Sequence, residues 1–124
     1  MKFMMFLTHD ESIRQQKLPQ ALMDAMGEFV QRSLANGVLK DTSGLQESKF
    51  GKRLYLKENT LTVTDGPFTE SKEIVGGYAI VETATYDEAM KVATEFMELH
   101  RIHWPGLVMT SEVRPMEEYE PPSK

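Results

Sequence analysis

The 124-residue chain has no cysteine. That excludes a disulfide framework, a thiol nucleophile and any cysteine-ligated metal site, and it accords with a reducing compartment such as the cytoplasm. Positive charge is also scarce: 14 Lys and Arg stand against 19 Asp and Glu, for a net charge of −5. Nucleic-acid binding draws on a basic face that neutralises phosphates. Here only Lys49, Lys52, Arg53 and Lys57 form a loose basic cluster, so nucleic acid is not an expected partner. Long apolar runs are missing as well. The opening MKFMMFL gives way to charged residues soon afterwards; it is too short to cross a bilayer and lacks a cleavable signal pattern, so no membrane is expected either. The chain has no phosphate loop, dinucleotide fingerprint, nucleophile elbow or basic-aromatic surface, and no organic cofactor is expected.

What is present is a globular composition, 40% hydrophobic and 27% charged. The length suits one domain around one core. That domain is expected over residues 1–116, with a flexible acidic, proline-containing tail, EEYEPPSK, at 117–124. The nine methionines read as adaptable packing.

Residues 3–8 are apolar on both alternating sets, Phe3, Met5 and Leu7 on one and Met4 and Phe6 on the other, as in a strand covered on both faces. Residues 9–17 are polar and read as a loop. From Leu18 to Asn36 a helical stripe runs through Leu22, Met26, Phe29 or Val30, and Leu34, with Pro19 in the first turn and Asn36-Gly37 at the exit. Gly27 inside it would permit close approach of another element. Residues 38–65 read as two or three strands, punctuated by Gly44 and Gly51 and reversed at Glu58-Asn59. Gly77–Thr83 is another two-faced strand. Thr85 and Glu88 have capping-box spacing for a helix that buries Ala89, Val92 or Ala93, Phe96 and Leu99. Its last turn holds His100, Arg101 and His103, where the helix dipole favours cations. Pro105-Gly106 ends it, and a final strand is expected at 107–114.

This order is that of a ferredoxin-like βαββαβ α+β sandwich. Two helices cover one face of such a sheet, yet two strands are apolar on both faces. A second copy, sheet against sheet, would bury the remaining face. A homodimer is therefore expected, with a small-molecule pocket between the sheets.

The residues that could carry chemistry centre on LTVTDGPFTESKEIVGGYAIV, residues 61–81. Leu61, Val63 and Asp65 share one strand face, so an apolar series ends on a carboxylate. Asp65 reads either as a pocket-facing general base or as an acceptor for its own Asp-Gly-Pro turn. Gly66 and Pro67 shape the chain. Phe68 lines a pocket or anchors the loop. Glu70, Lys72 and Glu73 read as a solvated face. His9 follows the first strand in phase with Phe3, Met5 and Leu7, and would act as a proton shuttle or stand as a solvated loop residue. His100 and His103 share a helical face, but a lone H-x-x-H lacks a third ligand, so no metal is expected. With Trp104 they would instead bind a ligand at the pocket mouth.

Thr64-Asp65-Gly66-Pro67-Phe68-Thr69-Glu70-Ser71-Lys72-Glu73 followed by Gly76-Gly77-Tyr78 resembles the YCII-related family in its DGPF-motif branch. So do the MKFMM start, the Asn-Gly-Val after the first helix, Gly44-Leu45, Asp87-Glu88-Ala89 and Glu112-Val113-Arg114-Pro115. The resemblance implies a dimeric α/β barrel. It also implies kinship with enzymes acting on small ring compounds, or with modules associated with sigma factors, and a His–Asp pair as the catalytic device. Two readings follow. One is a cofactor-independent acid–base enzyme of isomerase or lyase type, with Asp65 as base and a histidine, His9 first, as partner. The other is a non-catalytic dimeric module that binds a ligand or protein in transcriptional regulation.

Overall fold

A computed structural model describes residues 1–68, 72–118 and 121–122. Thr69, Glu70 and Ser71 of the motif and part of the expected tail lie outside the described residues. The elements are β1 (Lys2–His9), a 3-10 helix (Glu11–Gln15), α1 (Gln20–Ala35), β2 (Leu39–Gly44), a short 3-10 turn (Ser48–Phe50), β3 (Lys52–Lys57), β4 (Thr60–Asp65), β5 (Ile74–Glu82), α2 (Tyr86–His103) and β6 (Thr110–Pro115).

Four strands form an antiparallel sheet in the order β2-β5-β1-β6, with β1 and β5 central. This is the ferredoxin-like α+β arrangement, with an insertion: β3 and β4 pair only with each other, as a separate two-stranded hairpin between β2 and β5. Its turn is Glu58-Asn59, both with positive φ, 50° and 64°. That is the backbone twist a two-residue hairpin loop requires.

Residues directly opposite one another share a sheet face. The pairs Phe3↔Val81, Met5↔Ala79 and Leu7↔Gly77 therefore put Phe3, Met5, Leu7 and, in phase, His9 on one face. Both helices cover that face. Phe3, Met5, Leu39 and Val81 from the sheet pack with Ala89 and Ala93 of α2. Phe29 of α1 meets Phe96 of α2 with ring centroids 5.5 Å apart. The opposite face carries Met4, Phe6, Tyr78 and Ile80, which are half-buried.

Several expected details shift. The 9–17 segment is not a loop: β1 continues to His9, and a 3-10 helix follows, its N-terminus capped by the Asp10 carboxylate, which accepts the Ser12 N–H at 2.8 Å. In α1 the buried positions are Leu22, Phe29 and Ser33, while Leu34 is 51% exposed. The stripe 22-26-29-33 keeps helical spacing; Leu34 lies about 100° further round. No neighbouring element approaches Gly27, since a Cβ there would meet nothing within 4 Å. β6 starts at Thr110 because Gly106, at φ 86°, turns the chain after α2 and leaves residues 107–109 outside the sheet. The α2 start forms as expected, with Thr85 Oγ1 accepting the Glu88 N–H and Glu88 accepting the Ala84 N–H. Among the described residues, no helix is long and apolar enough to cross a membrane.

Candidate functional site

At one end of the helix-covered face, between the sheet and the two helices, lies a cavity of about 490 Å³. Its apolar wall includes Leu22, Met26, Phe96, Leu107 and Met109. Its polar side chains include His9, Arg14, Thr42, Ser43 and His100, with Trp104 beside them. The cavity lies within one chain, on the helix side of the sheet, not in a space between two sheets.

His9 ends β1 and is 8% exposed. Its Nδ1 lies 2.8 Å from the Asp10 carbonyl oxygen. A carbonyl only accepts, so Nδ1 carries the proton of this bond, and Nε2 is the nitrogen left for a ligand. The ring fits because residue 76 is glycine: a Cβ there would stand 2.0 Å from His9 Nε2. The β1–β5 register shifts at Leu7/Thr8, so Gly76 is the extra residue of a bulge beside the imidazole. The double glycine of the motif has two separate causes, since a Cβ on Gly77 would instead meet the Ser43 carbonyl at 3.0 Å.

His100, also 8% exposed, sits one turn before the end of α2. Its Nδ1 donates to the Phe96 carbonyl at 2.9 Å, and its ring meets Phe96 edge-on at 4.7 Å. Burial pushes its pKa below the usual histidine range, with the Phe96 bond opposing weakly. The net shift is downward, so the ring is held in its neutral form at pH 7. His100 too keeps Nε2 for the cavity. Among the described residues neither Nε2 has a protein hydrogen-bond partner.

Arg14 projects from the 3-10 helix to the cavity rim. Its Nη2 donates to the carbonyls of Leu45 and Gly76, the latter at 2.9 Å. It ties the start of β5 to the segment after β2 and leaves Nη1 and Nε without a protein acceptor among the described residues. The two hydroxyls have backbone partners: Thr42 donates to Tyr78 O and Ser43 to Gly44 O, each at 2.9 Å.

The remaining expected site residues lie elsewhere. His103 is half-exposed and does not line this cavity. Asp65 does not meet an imidazole within one chain: it ends the hairpin, its side chain is 74% exposed, and its carboxylate pairs with Lys52 Nζ at 2.9 Å. Phe68 lies under the Arg53 guanidinium, 3.9 Å from centroid to Cζ, and contributes to a different surface depression with Ser48 and Gly51. Gly66 presses on the 48–51 turn: its N–H donates to Gly51 O at 2.9 Å, and a Cβ would stand 1.7 Å from Ser48 O. Ser48 in turn donates through its N–H and hydroxyl to Glu11 of the 3-10 helix, and its hydroxyl oxygen accepts the Phe68 N–H at 3.4 Å. The DGPF segment is thus a clasp that ties the hairpin, through Ser48, to the helix bearing Arg14.

A family model described as the YCII-related domain matches residues 1–117. The chain belongs to the YCII-related family. The match is to the family as a whole and does not specify the branch. Comparison with curated proteins gives no match. In this YCII-related chain, of the residues that sequence reading singled out, His9, His100 and Trp104 line the cavity; Arg14 and Gly76, which also line it, were not singled out as site residues. Arg14 was hidden in a polar run read as loop. Gly76 carried a usable signal: a second glycine beside Gly77 in a strand asks what occupies the space of the missing side chain. Among the described residues no group of three His, Asp or Glu side chains could hold a metal ion.

Proposed function

We propose that the cavity is the active site of a cofactor-independent proton-transfer enzyme acting on a small carbonyl or ring compound. The observation that carries this reading is the pairing of two buried imidazoles in one cavity, each with Nδ1 committed to a backbone carbonyl and Nε2 left over. His9 Nε2 takes a proton from carbon next to a carbonyl and, as the imidazolium, returns it to another carbon, which is isomerisation, or lets a leaving group depart, which is elimination. His100, neutral by burial, is the second proton carrier. The cavity volume falls in the range of small-molecule sites.

Solvent deuterium incorporation tests this without a known substrate. Small cyclic enones, lactones and keto acids are incubated with the protein in heavy water and followed by NMR. Exchange accelerated by the wild-type protein and lost in His9→Gln, with an unchanged melting temperature, is the expected result. Exchange no faster than buffer, or undiminished in His9→Gln, removes the catalytic reading.

The reading includes a homodimer. Leu54↔Val63 and Leu56↔Leu61 are opposed on one hairpin face, and the four side chains are 72%, 61%, 73% and 67% exposed. An isolated two-stranded hairpin is marginal in water. Covering this strip and the Met4/Phe6/Ile80 face with a second copy supplies the missing burial. Sedimentation of the wild type against Leu56→Lys reads it out, and an identical monomer in both would sink it.

A further inference from the structure

The cavity bears an electrostatic sign that the whole chain does not. The protein carries a net charge of −5. Yet the titratable residues lining the cavity are His9, Arg14, His100 and Tyr78, whose hydroxyl donates to Asp41, with no Asp or Glu among them. The acids next to Arg14 in sequence are committed elsewhere. Asp10 accepts from Ser12, and that bond holds its carboxyl below the usual range. Glu11 accepts from Ser48 through Oε1, and among the described residues its Oε2 is buried without a hydrogen-bond partner, making no ion pair with Arg14. Arg14 therefore faces the cavity without a carboxylate partner. It is also fixed in place: two backbone carbonyls grip Nη2, so its orientation is set before any ligand arrives. A guanidinium held in this way at the exposed rim, with Nη1 and Nε open to solvent and to a ligand, is a preformed anion receptor. The opposite wall is hydrocarbon and aromatic, from Leu22, Met26, Phe96 and Leu107.

We infer that the substrate class of this site is a small organic acid with an apolar body, its carboxylate on Arg14 and its body among those walls. This deepens the proposed function and rests on the same cavity. The carboxylate on Arg14 orients the molecule toward the imidazoles and sets which acids the site accepts; His9 does the chemistry.

Matched pairs separate charge from shape. Benzoate, phenylacetate and cinnamate are each titrated calorimetrically against the corresponding primary amide. The expected result is binding of at least one acid with an affinity about tenfold or more above its amide, a gap that narrows in high salt. Arg14→Gln is expected to abolish the preference, and Arg14→Lys, which keeps the charge, to retain part of it. Equal binding of an acid and its amide, no binding of any acid, or an undiminished preference in folded Arg14→Gln overturns the inference. If Arg14→Gln does not fold, the wild-type pairs and Arg14→Lys still decide. The outcome is distinguishable from that of the catalytic reading. Acid preference without deuterium exchange retains the anion site and removes the enzyme. His9-dependent exchange on neutral ketones without acid preference does the reverse.

Discussion

The end of the sheet that holds His9 and the hairpin that ends in Asp65 are built on opposite plans. The hairpin carries the densest sequence signal, a motif with an acid, a glycine, a proline and an aromatic in succession. Yet within one chain its acid is exposed and ion-paired, and its glycine and aromatic clamp a neighbouring turn. The cavity carries no contiguous motif. Its polar groups come from the end of β1 with the 3-10 helix just after it, from β2 and from the last turns of α2, three regions far apart in sequence. A motif of consecutive residues suits a local backbone problem. A site is assembled from element ends, where side chains escape the core.

Two glycine substitutions test that contrast most severely. Gly66→Ala would force a Cβ to 1.7 Å from the Ser48 carbonyl, a backbone atom that cannot turn aside. A loss of about 2–4 kcal/mol in urea unfolding is expected, because the clasp must open. Gly76→Ala would place a Cβ 2.0 Å from His9 Nε2, a side-chain atom that can be pushed away. Its expected cost is smaller, about 1–2 kcal/mol, but it displaces the imidazole and abolishes exchange. If Gly66→Ala leaves stability intact, the clasp is not structural. If Gly76→Ala retains full function, His9 does not need its seat.

Protonation gives a finer comparison within the cavity. Burial holds the folded-state pKa of His100 below the ordinary value of 6.5. Above that value both states are neutral and the stability is fully present. As pH falls through 6.5, the unfolded imidazole binds a proton that the folded one resists, so stability declines until the folded pKa is passed. Each unit of separation is worth about 1.4 kcal/mol. His100→Gln should flatten this acid limb below about pH 7 relative to the wild type, as read from urea midpoints. Parallel curves for the two proteins would show that His100 is not desolvated.

The fold was legible because it rests on periodicity. Phe3, Met5 and Leu7 against Met4 and Phe6, and the α2 stripe with its Thr85 cap, follow from spacing alone. Spacing also predicts Leu34 on the buried stripe, but Ser33 takes the place, because the phase of a helix against its sheet is set by the partner surface. Asp65 shows the other limit. The alternation Leu61, Val63, Asp65 is real, but alternation reports a shared face and not what the face looks at. It shares that face with Leu54 and Leu56 on a hairpin that leaves the sheet. His9 could be placed in phase with β1 from sequence; the vacancy at Gly76 that seats its ring could not, since it depends on a bulge between two strands distant in sequence.

The smallest expected effect is also the sharpest test of which region does chemistry. Asp65→Asn removes one partner of an ion pair in which the two side chains are 72% and 74% exposed. Such pairs contribute little, so the stability change should stay within about 0.5 kcal/mol. Lys52 is left solvated, not buried, so no desolvated charge is stranded. Asparagine keeps the shape and the ability to accept from turn N–H groups. With the carboxylate outside the cavity of its own chain, deuterium exchange should match the wild type, in contrast to its loss in His9→Gln. Lost exchange in a fully folded Asp65→Asn would mean that the carboxylate reaches an active site after all. The remaining route would then be the cavity of a second copy, which mixing Asp65→Asn with His9→Gln protein would test by restoring activity in the mixed dimer.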